Sequence, residues 1–347
     1  MTAQGRETAP ERPRIAVVVP CYRVRAQVLG VIAGIGPEVD AVYVVDDACP
    51  EQSGRLVAES CSDPRVRVID SATNQGVGGA VMTGYRAALA DGIDIVVKLD
   101  GDGQMDPALI PELIRPIAAG DADYTKGNRF YNLEQIREMP RLRILGNALL
   151  SLLTKLSSGY WNLFDPTNGF TAIHANVLRQ LPLDRISRRY FFETDMLFRL
   201  NTVRAVVVDV PMDARYRGES SSLRIRRIVF EFSVKHVRNF VKRLFYNYYL
   251  RDMSIASLQL PLGLVMLLAG VVDGIASWRA GLDANVPTIP GTVTLVAILV
   301  LLGVQLILAF IGYDIATVPT RAIHPLLRRD RAARDTRAPG GTPVADA

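Results

Sequence analysis

The sequence predicts an α/β fold: a mainly parallel, Rossmann-like sheet, then an amphipathic juxtamembrane helix and two transmembrane helices. Three observations carry that expectation. Short apolar, β-branched runs alternate with helix-like stretches over residues 14–222, a spacing that implies parallel strands covered on both faces. Several of those runs stop on carboxylates, and in such sheets a site lies beyond the carboxyl ends of the strands. The average composition, 49% hydrophobic and 22% charged, conceals a sharp division, because residues 255–311 are almost wholly apolar.

The chain accordingly divides into a polar, disordered tail (1–13), an α/β domain (14–222), a basic interfacial helix (223–252), a membrane hairpin (253–315) and a basic tail (316–347). Residues 15–19 are a buried strand ended by Pro20, and a helix is expected over 24–35. Residues 42–45 form a second strand closing on Asp46 and Asp47, and 65–69 a third. Asn74-Gln75-Gly76-Val77-Gly78-Gly79 follows, then a helix to Ala90 with Val81, Tyr85, Ala88 and Leu89 on one face. Gly-x-Gly-Gly after a third strand is not the Gly-x-Gly-x-x-Gly that follows a first strand, so a dinucleotide fingerprint carries little weight. These glycines read instead as a close-packed loop and helix start. Residues 122–126 are a further strand, 142–156 a helix and 205–210 a last strand.

The central strand, 95–99, ends on Asp100-Gly101-Asp102-Gly103-Gln104, with Asp106-Pro107 close behind. Asp and Gly are ordinary turn residues, and an isolated Asp-Gly-Asp is more often a turn than a site. Two carboxylates one residue apart at a strand end also suit Mg²⁺ or Mn²⁺, whose shell a nucleotide diphosphate commonly completes. Asp46, Asp47, Asp100 and Asp102 all fall at strand carboxyl ends and are expected to converge, which favours the site. Glu193 and Asp195 sit in an aromatic stretch, where burial is costly without partners. Two residues apart on a helix, they do not share a face, so one of them is expected to be structural, paired to an arginine.

Taken in order, Val17-Val18-Val19-Pro20-Cys21-Tyr22, Val44-Val45-Asp46-Asp47, Asn74-Gln75-Gly76, Leu99-Asp100-Gly101-Asp102-Gly103-Gln104, Asp165-Pro166-Thr167-Asn168-Gly169-Phe170 and Arg215-x-x-Gly218 resemble a family 2 inverting glycosyltransferase of GT-A fold. The branch resembled is the polyprenyl-phosphate, dolichyl-phosphate mannosyltransferase-like one, over residues 14–222. The resemblance implies a metal-dependent transfer of sugar from a UDP- or GDP-sugar to polyprenyl phosphate. It implies nucleotide-sugar contacts at Pro20, Tyr22, Asp46, Asp47, Asn74, Gly76, Asp100, Arg129 and Arg215. It places Mg²⁺ or Mn²⁺ at Asp100, Asp102 and Gln104, and catalytic roles among Asp102, Asp165, Glu193 and Asp195. The chain departs from the family in lacking Asn-Glu after Tyr22 and a lysine after Gly218. No Gln-x-x-Arg-Trp occurs, which argues against a processive polysaccharide synthase.

Residues 255–277 and 289–313 are long enough to span a bilayer, although Pro261 and Asp273 interrupt the first. Arginines and lysines precede the first span and follow the second, so both termini are expected in the cytoplasm and the 278–288 linker outside. The expected location is a cell membrane, the inner one in a bacterium. Phe230, Val234, Val237, Val241, Leu244 and Tyr248 make one helical stripe flanked by Lys235, Arg238 and Lys242, the pattern of a helix lying in the headgroup layer. Arg217, Lys235, Arg238 and Lys242 are candidates for gathering the lipid phosphate. Nucleic acid is not an expected partner, and a homo-oligomer is left open. The start of the chain has no apolar signal-peptide core, and three cysteines without metal-ligand spacing fit a reducing compartment. Two other readings stay open. In one, the acceptor is a lipid-linked saccharide or glycolipid hydroxyl, which needs a base such as Glu193 or Asp195. In the other, the chain is a non-catalytic scaffold that binds a nucleotide sugar, although its metal-site acids are intact.

Overall fold

The structure, a computed structural model, describes residues 12–131, 141–213 and 225–327. One seven-stranded sheet runs in the order β3-β2-β1-β4-β6-β5-β7. Its strands are β1 (Ile15–Cys21), β2 (Ala41–Asp46), β3 (Val66–Asp70), β4 (Ile95–Lys98), β5 (Tyr124–Asn128), β6 (Thr171–His174) and β7 (Val207–Pro211). All neighbours pair in parallel except β6, which lies antiparallel between β4 and β5. Strand β1 is buried at every position, as expected of a central strand with helices on both faces.

Helices α1 (Val28–Ala33), α2 (Ser53–Ser60) and α4 (Ile110–Ala118) bury Val28, Val57, Leu113 and their neighbours against one face of the sheet. Helices α3 (Val77–Ala90), α6 (Ala175–Leu178) and α7 (Phe192–Thr202) cover the other, around Tyr85, Val177 and Leu197. The helix expected from residue 24 begins at Val28, after a turn. Helices α2 and α4 and strand β6 add to the elements read from sequence.

Helix α5 (Arg141–Ser158) packs against α8 (Ile225–Phe245), which leads through a π-helical turn, Tyr246–Arg251, into α9 (Ile255–Ala284) and α10 (Pro290–Ala316). Both last helices are long and apolar enough to cross a membrane, and most of each apolar window faces outward. Helix α9 runs without a break through Pro261 and continues to Ala284, so residues 278–284, expected in the linker, are helical. Asn285, in the left-handed region at φ 51°, ends it. The pair packs at backbone contact: a Cβ on Gly303 would lie 2.6 Å from Leu267 N.

Helix α8 is amphipathic in an unusual sense. Phe230, Val234, Val237, Val241 and Phe245 face outward, Phe230 being 74% exposed. Buried against the domain instead are His236, Asn239 and Arg243. The expected stripe ends differently, because Tyr248 is buried and Phe245 takes the outward place. A π turn adds a residue per turn and rotates the face after it. Helix α5 extends the outward apolar surface with Leu145, Leu149 and Leu152.

After α10 the chain returns to the sheet. Asp123, just before β5, accepts hydrogen bonds from the backbone N–H groups of Ile323 and His324. The His324 ring stacks on His174 at 4.2 Å between centroids. This contact lies at the end of the sheet away from Asp100, because His174 pairs with Ile95, the first residue of β4.

Candidate functional site

At the carboxyl end of β1, β2 and β4 lies a cavity of about 390 Å³ lined by Pro20, Tyr22, Asp47, Asn74, Gly76, Asp100, Asp102, Arg189 and Tyr190, among others. Six of the residues expected to meet a nucleotide sugar therefore share one cavity with Asp102. Asp46 does not join them. Its carboxylate accepts hydrogen bonds from the backbone of Cys49 (2.7 Å) and Gly54 (2.6 Å), and so holds the loop into α2.

Asp47 has a different job. It accepts from the backbone N–H of Gln75 (2.7 Å) and Gly76 (2.8 Å), a carboxylate placed at the N-terminus of α3, where it suits the helix dipole. Gly79 N–H donates to the carbonyl of Arg188 at 3.1 Å. A Cβ on Gly76 (φ +82°) would fall 2.7 Å from Arg188 O, and one on Gly78 would fall 2.4 Å from Ser187 O. The glycine loop thus admits the close approach of residues 187–189. Asp47 and the Arg188 carbonyl take three of the N–H groups at this helix start.

Asp102 accepts a hydrogen bond from Gln104 N–H at 2.9 Å, which turns the loop back on itself. Asp100 Oδ1 is 2.8 Å from Lys98 Nζ. Lys98, which sequence reasoning passed over, is completely buried on β4 and also lies 3.3 Å from Glu193 Oε1 and 3.1 Å from the carbonyl of Gly169. Burial works against its charge, but Asp100 and Glu193 outweigh burial and hold the ammonium above the usual lysine range. Burial lifts the Glu193 carboxyl above its ordinary value, and Lys98 only partly offsets this.

The register shows why Lys98 is not alone. Lys98 pairs with Thr171 of β6, Thr171 with Lys126 of β5, and Lys126 with Asp209 of β7. A polar row crosses four strands, from β4 at the cavity to β7 at the sheet edge. Lys126 is as buried as Lys98 and donates to the carbonyl of Asp165. Burial lowers its pKa, with Asp209 and Asp165 pulling the other way. The cue to Lys98 was a charge ending a strand otherwise made of Val and Ile, whereas Lys126 sits in Tyr-Thr-Lys-Gly-Asn, which offers no such contrast.

Asp165 is buried and clamped by Arg129, whose Nε and Nη2 donate to its two oxygens at 2.7 and 2.9 Å. Burial alone would raise this carboxyl, but the Arg129 hydrogen bonds win and hold it below the ordinary range. Neither side chain lines the cavity. Glu193 and Asp195 point apart on α7, as their spacing requires. Asp195 accepts from Ser187 N–H and Asn239 Nδ2 and lies 3.5 Å from Arg199, so it ties α7 to α8. Arg238 and Lys242 are exposed on α8, whereas Lys235 is paired with Glu231 at 2.7 Å. Arg215 and Arg217 lie outside the described residues.

Asp100 and Asp102 present carboxylate oxygens to one cavity, and among the described residues no group of three or more His, Cys, Asp or Glu converges. Two hard oxygen donors, with the remaining positions left to a diphosphate and water, fit a hydrated Mg²⁺ or Mn²⁺ rather than an all-protein cage.

The family model described as glycosyl transferase family 2 matches residues 16–181. Undecaprenyl-phosphate mannosyltransferase of Micrococcus luteus is 34% identical over 214 residues, covering 60% of this chain and 86% of that protein. Polyprenol monophosphomannose synthase of Mycolicibacterium smegmatis is 28% identical over 251 residues, 69% of this chain and 94% of that protein. A solved structure of glucosyl-3-phosphoglycerate synthase from Mycobacterium tuberculosis, in complex with Mn²⁺, UDP and glucosyl-3-phosphoglycerate, superposes with a TM-score of 0.50 at 20% identity. It covers 67% of this chain and 80% of that one, a likeness of fold.

Proposed function

This chain belongs to glycosyl transferase family 2, and from that premise we propose that it moves a sugar from a nucleotide diphosphate-sugar to polyprenyl phosphate at a membrane surface. One observation carries the reading. The acidic cavity is joined by residues 187–191 to α8, where Lys235 Nζ lies 3.5 Å from Ser187 Oγ and 5.5 Å from the centroid of the Phe191 ring. Helix α8 turns its apolar face outward beside two helices able to span a bilayer. A donor site and a lipid-facing surface are thus two sides of one loop. The names of both bacterial relatives, an undecaprenyl-phosphate mannosyltransferase and a polyprenol monophosphomannose synthase, support the same acceptor.

In this mechanism Pro20, Tyr22, Asp47 and Asn74 border the nucleotide. Asp100 and Asp102, with Gln104 beside them, would hold Mg²⁺ or Mn²⁺, which when bound neutralises the leaving diphosphate. An oxygen of the acceptor phosphate forms the new bond to the anomeric carbon with inversion. The bond to the diphosphate breaks, and its electron pair leaves with the nucleoside diphosphate. A phosphomonoester has a second pKa of about 6 and is largely ionised at neutral pH, so it needs no general base. That suits a cavity lined by neither Asp165, Glu193 nor Asp195. Lys98 keeps the charges of Asp100 and Glu193 from facing each other unshielded, and Arg129 does the same for Asp165.

Helices α5 and α8 lie in the headgroup layer on this reading, with both termini cytoplasmic and residues 285–289 outside. Labels at Thr2 and in that linker should be protected and exposed, respectively, in intact cells. The reaction is tested by incubating the purified protein with polyprenyl phosphate, Mn²⁺ and a panel of UDP- and GDP-sugars, then following lipid-soluble label. Transfer to a glycolipid hydroxyl with none to polyprenyl phosphate would overturn the acceptor.

A further inference from the structure

We infer that Arg189 is the receptor for the acceptor's phosphate at the mouth of the cavity, a role that rests on the polyprenyl-phosphate reading above. The inference starts from charge. Asp47, Asp100 and Asp102 line the cavity, and among its lining residues in the described chain Arg189 is the one cation. Lys98 and Lys126 are buried within the sheet, and Arg129 is committed to Asp165. An anionic acceptor entering a cavity with three carboxylates meets repulsion unless a cation stands at its entrance. Arg189 is exposed, and among the described residues it has no ion-pair partner.

Its placement is fixed by backbone rather than by side-chain pairing. The Gly79 to Arg188 hydrogen bond and the close packing on Gly76 and Gly78 lock residues 187–189 to the start of α3. The Arg189 side chain lies against Gly76, whose added Cβ would be 2.9 Å from Arg189 Cγ. The far side of the same loop meets α8 through Ser187 and Phe191. Arg189 therefore stands between the lipid-facing helix and the carboxylates of the donor site. A guanidinium offers a planar fork to phosphate oxygens, which a lysine reproduces as charge but not as geometry.

The test uses the full chain in lipid nanodiscs, with Arg189→Gln and Arg189→Lys beside the unaltered protein. Farnesyl phosphate, farnesol, and UDP or GDP with Mn²⁺ are titrated separately, and KM for polyprenyl phosphate is measured where transfer is seen. Arg189→Gln should weaken farnesyl phosphate binding by about tenfold or more and raise that KM in parallel, with Arg189→Lys recovering only part of the loss. Farnesol binding and the nucleoside diphosphate affinity should stay within about twofold. Equal farnesyl phosphate affinity in the Gln variant and the unaltered chain overturns the assignment of Arg189 alone. A loss confined to the nucleoside diphosphate also overturns it, making Arg189 a donor contact. If the unaltered chain binds nucleoside diphosphate but no farnesyl phosphate, the acceptor reading fails, and the role of Arg189 with it.

Discussion

Two of the places where the chain buries charge are built differently. Beneath the cavity, Lys98 serves two carboxylates at once, and one of them, Asp100, remains open to the site. At the foot of the hairpin, Asp314 of α10 is enclosed. Arg243 donates to it through Nη1 (2.6 Å) and Nη2 (2.9 Å), Tyr248 through its hydroxyl (2.5 Å) and Trp161 through Nε1 (2.8 Å). Arg243 is 1% exposed and Asp314 3%. The closed cluster joins α8, the π turn, the residues after α5 and the end of α10, so it fixes how the hairpin meets the domain. The first network is left short of cations where a ligand brings its own, whereas in the second both Asp314 oxygens are hydrogen-bonded within the protein. A carboxylate left open to a cavity is thus the mark of a site, and one enclosed by protein donors the mark of a joint.

The sharpest way to break that contrast is to remove one charge from each. Asp102→Ala should lower transfer by about a thousandfold, several kcal/mol of lost charge stabilisation, with an unchanged melting temperature. Chelation by EDTA should reproduce the loss in the unaltered protein, and full activity in chelator would refute the metal's role. Arg243→Ala should do the reverse. It strands Asp314 without its ion partner and should cost about 3–5 kcal/mol of stability, read as a lowered melting temperature in detergent. Activity per folded molecule should be retained, and the double change Arg243→Met with Asp314→Leu should recover only part of the stability, because Tyr248 and Trp161 lose their acceptor.

Lys98→Met tests whether the cavity network is functional. It keeps the length, removes the charge and leaves Asp100 facing Glu193, so transfer should fall by about a hundredfold. A melting-temperature loss with normal turnover would place Lys98 in the structural class instead. Glu193→Gln should lower transfer by less than about tenfold, whereas a near-complete collapse would make Glu193 a base and the acceptor a hydroxyl.

A smaller effect sharpens the α5–α8 contact. His236 is buried beside Ser157 (Nδ1 to Oγ 2.8 Å), and burial pushes its imidazole down to about 4. The unfolded chain takes up that proton below about 6.5 and the native chain only below about 4. Stability is therefore lost as pH falls through that window, by at most about 1.4 kcal/mol per pH unit. Melting curves at pH 7 and pH 5 should converge in His236→Gln. The smallest effect belongs to the surface of α8. Lys235→Glu with Lys242→Glu should raise KM for polyprenyl phosphate by about threefold at low salt, less in high salt, because exposed charges are screened over about 10 Å at 0.1 M. The KM for the nucleotide sugar should not move.

Much of this was legible in the chain. β-branched runs ending in Asp46, Asp47 and Asp100 marked strands and the end of the sheet that carries the site, because both follow from local side-chain chemistry. The apolar hairpin and the stripe from Phe230 to Val241 followed from hydrophobic periodicity, which needs no knowledge of the rest of the fold. Strand β6 escaped notice because Thr171-Ala172-Ile173-His174 is too short to show a period. The duties of Asp46, Asp165 and Asp195 were also hidden, since a carboxylate at a strand end looks the same whether it faces a cavity or a backbone amide.

What the sequence determined by itself is the class of fold, the end of the sheet that bears the site and the two apolar helices, all properties of residues near one another in the chain. Tertiary structure alone decided which charges meet. Lys98 and Glu193 are 95 residues apart, Arg243 and Asp314 are 71, and Asp123 and His324 are 201. Such pairs have no local signature, because a buried charge is tolerated only where folding brings its partner, and that partner can come from anywhere in the chain.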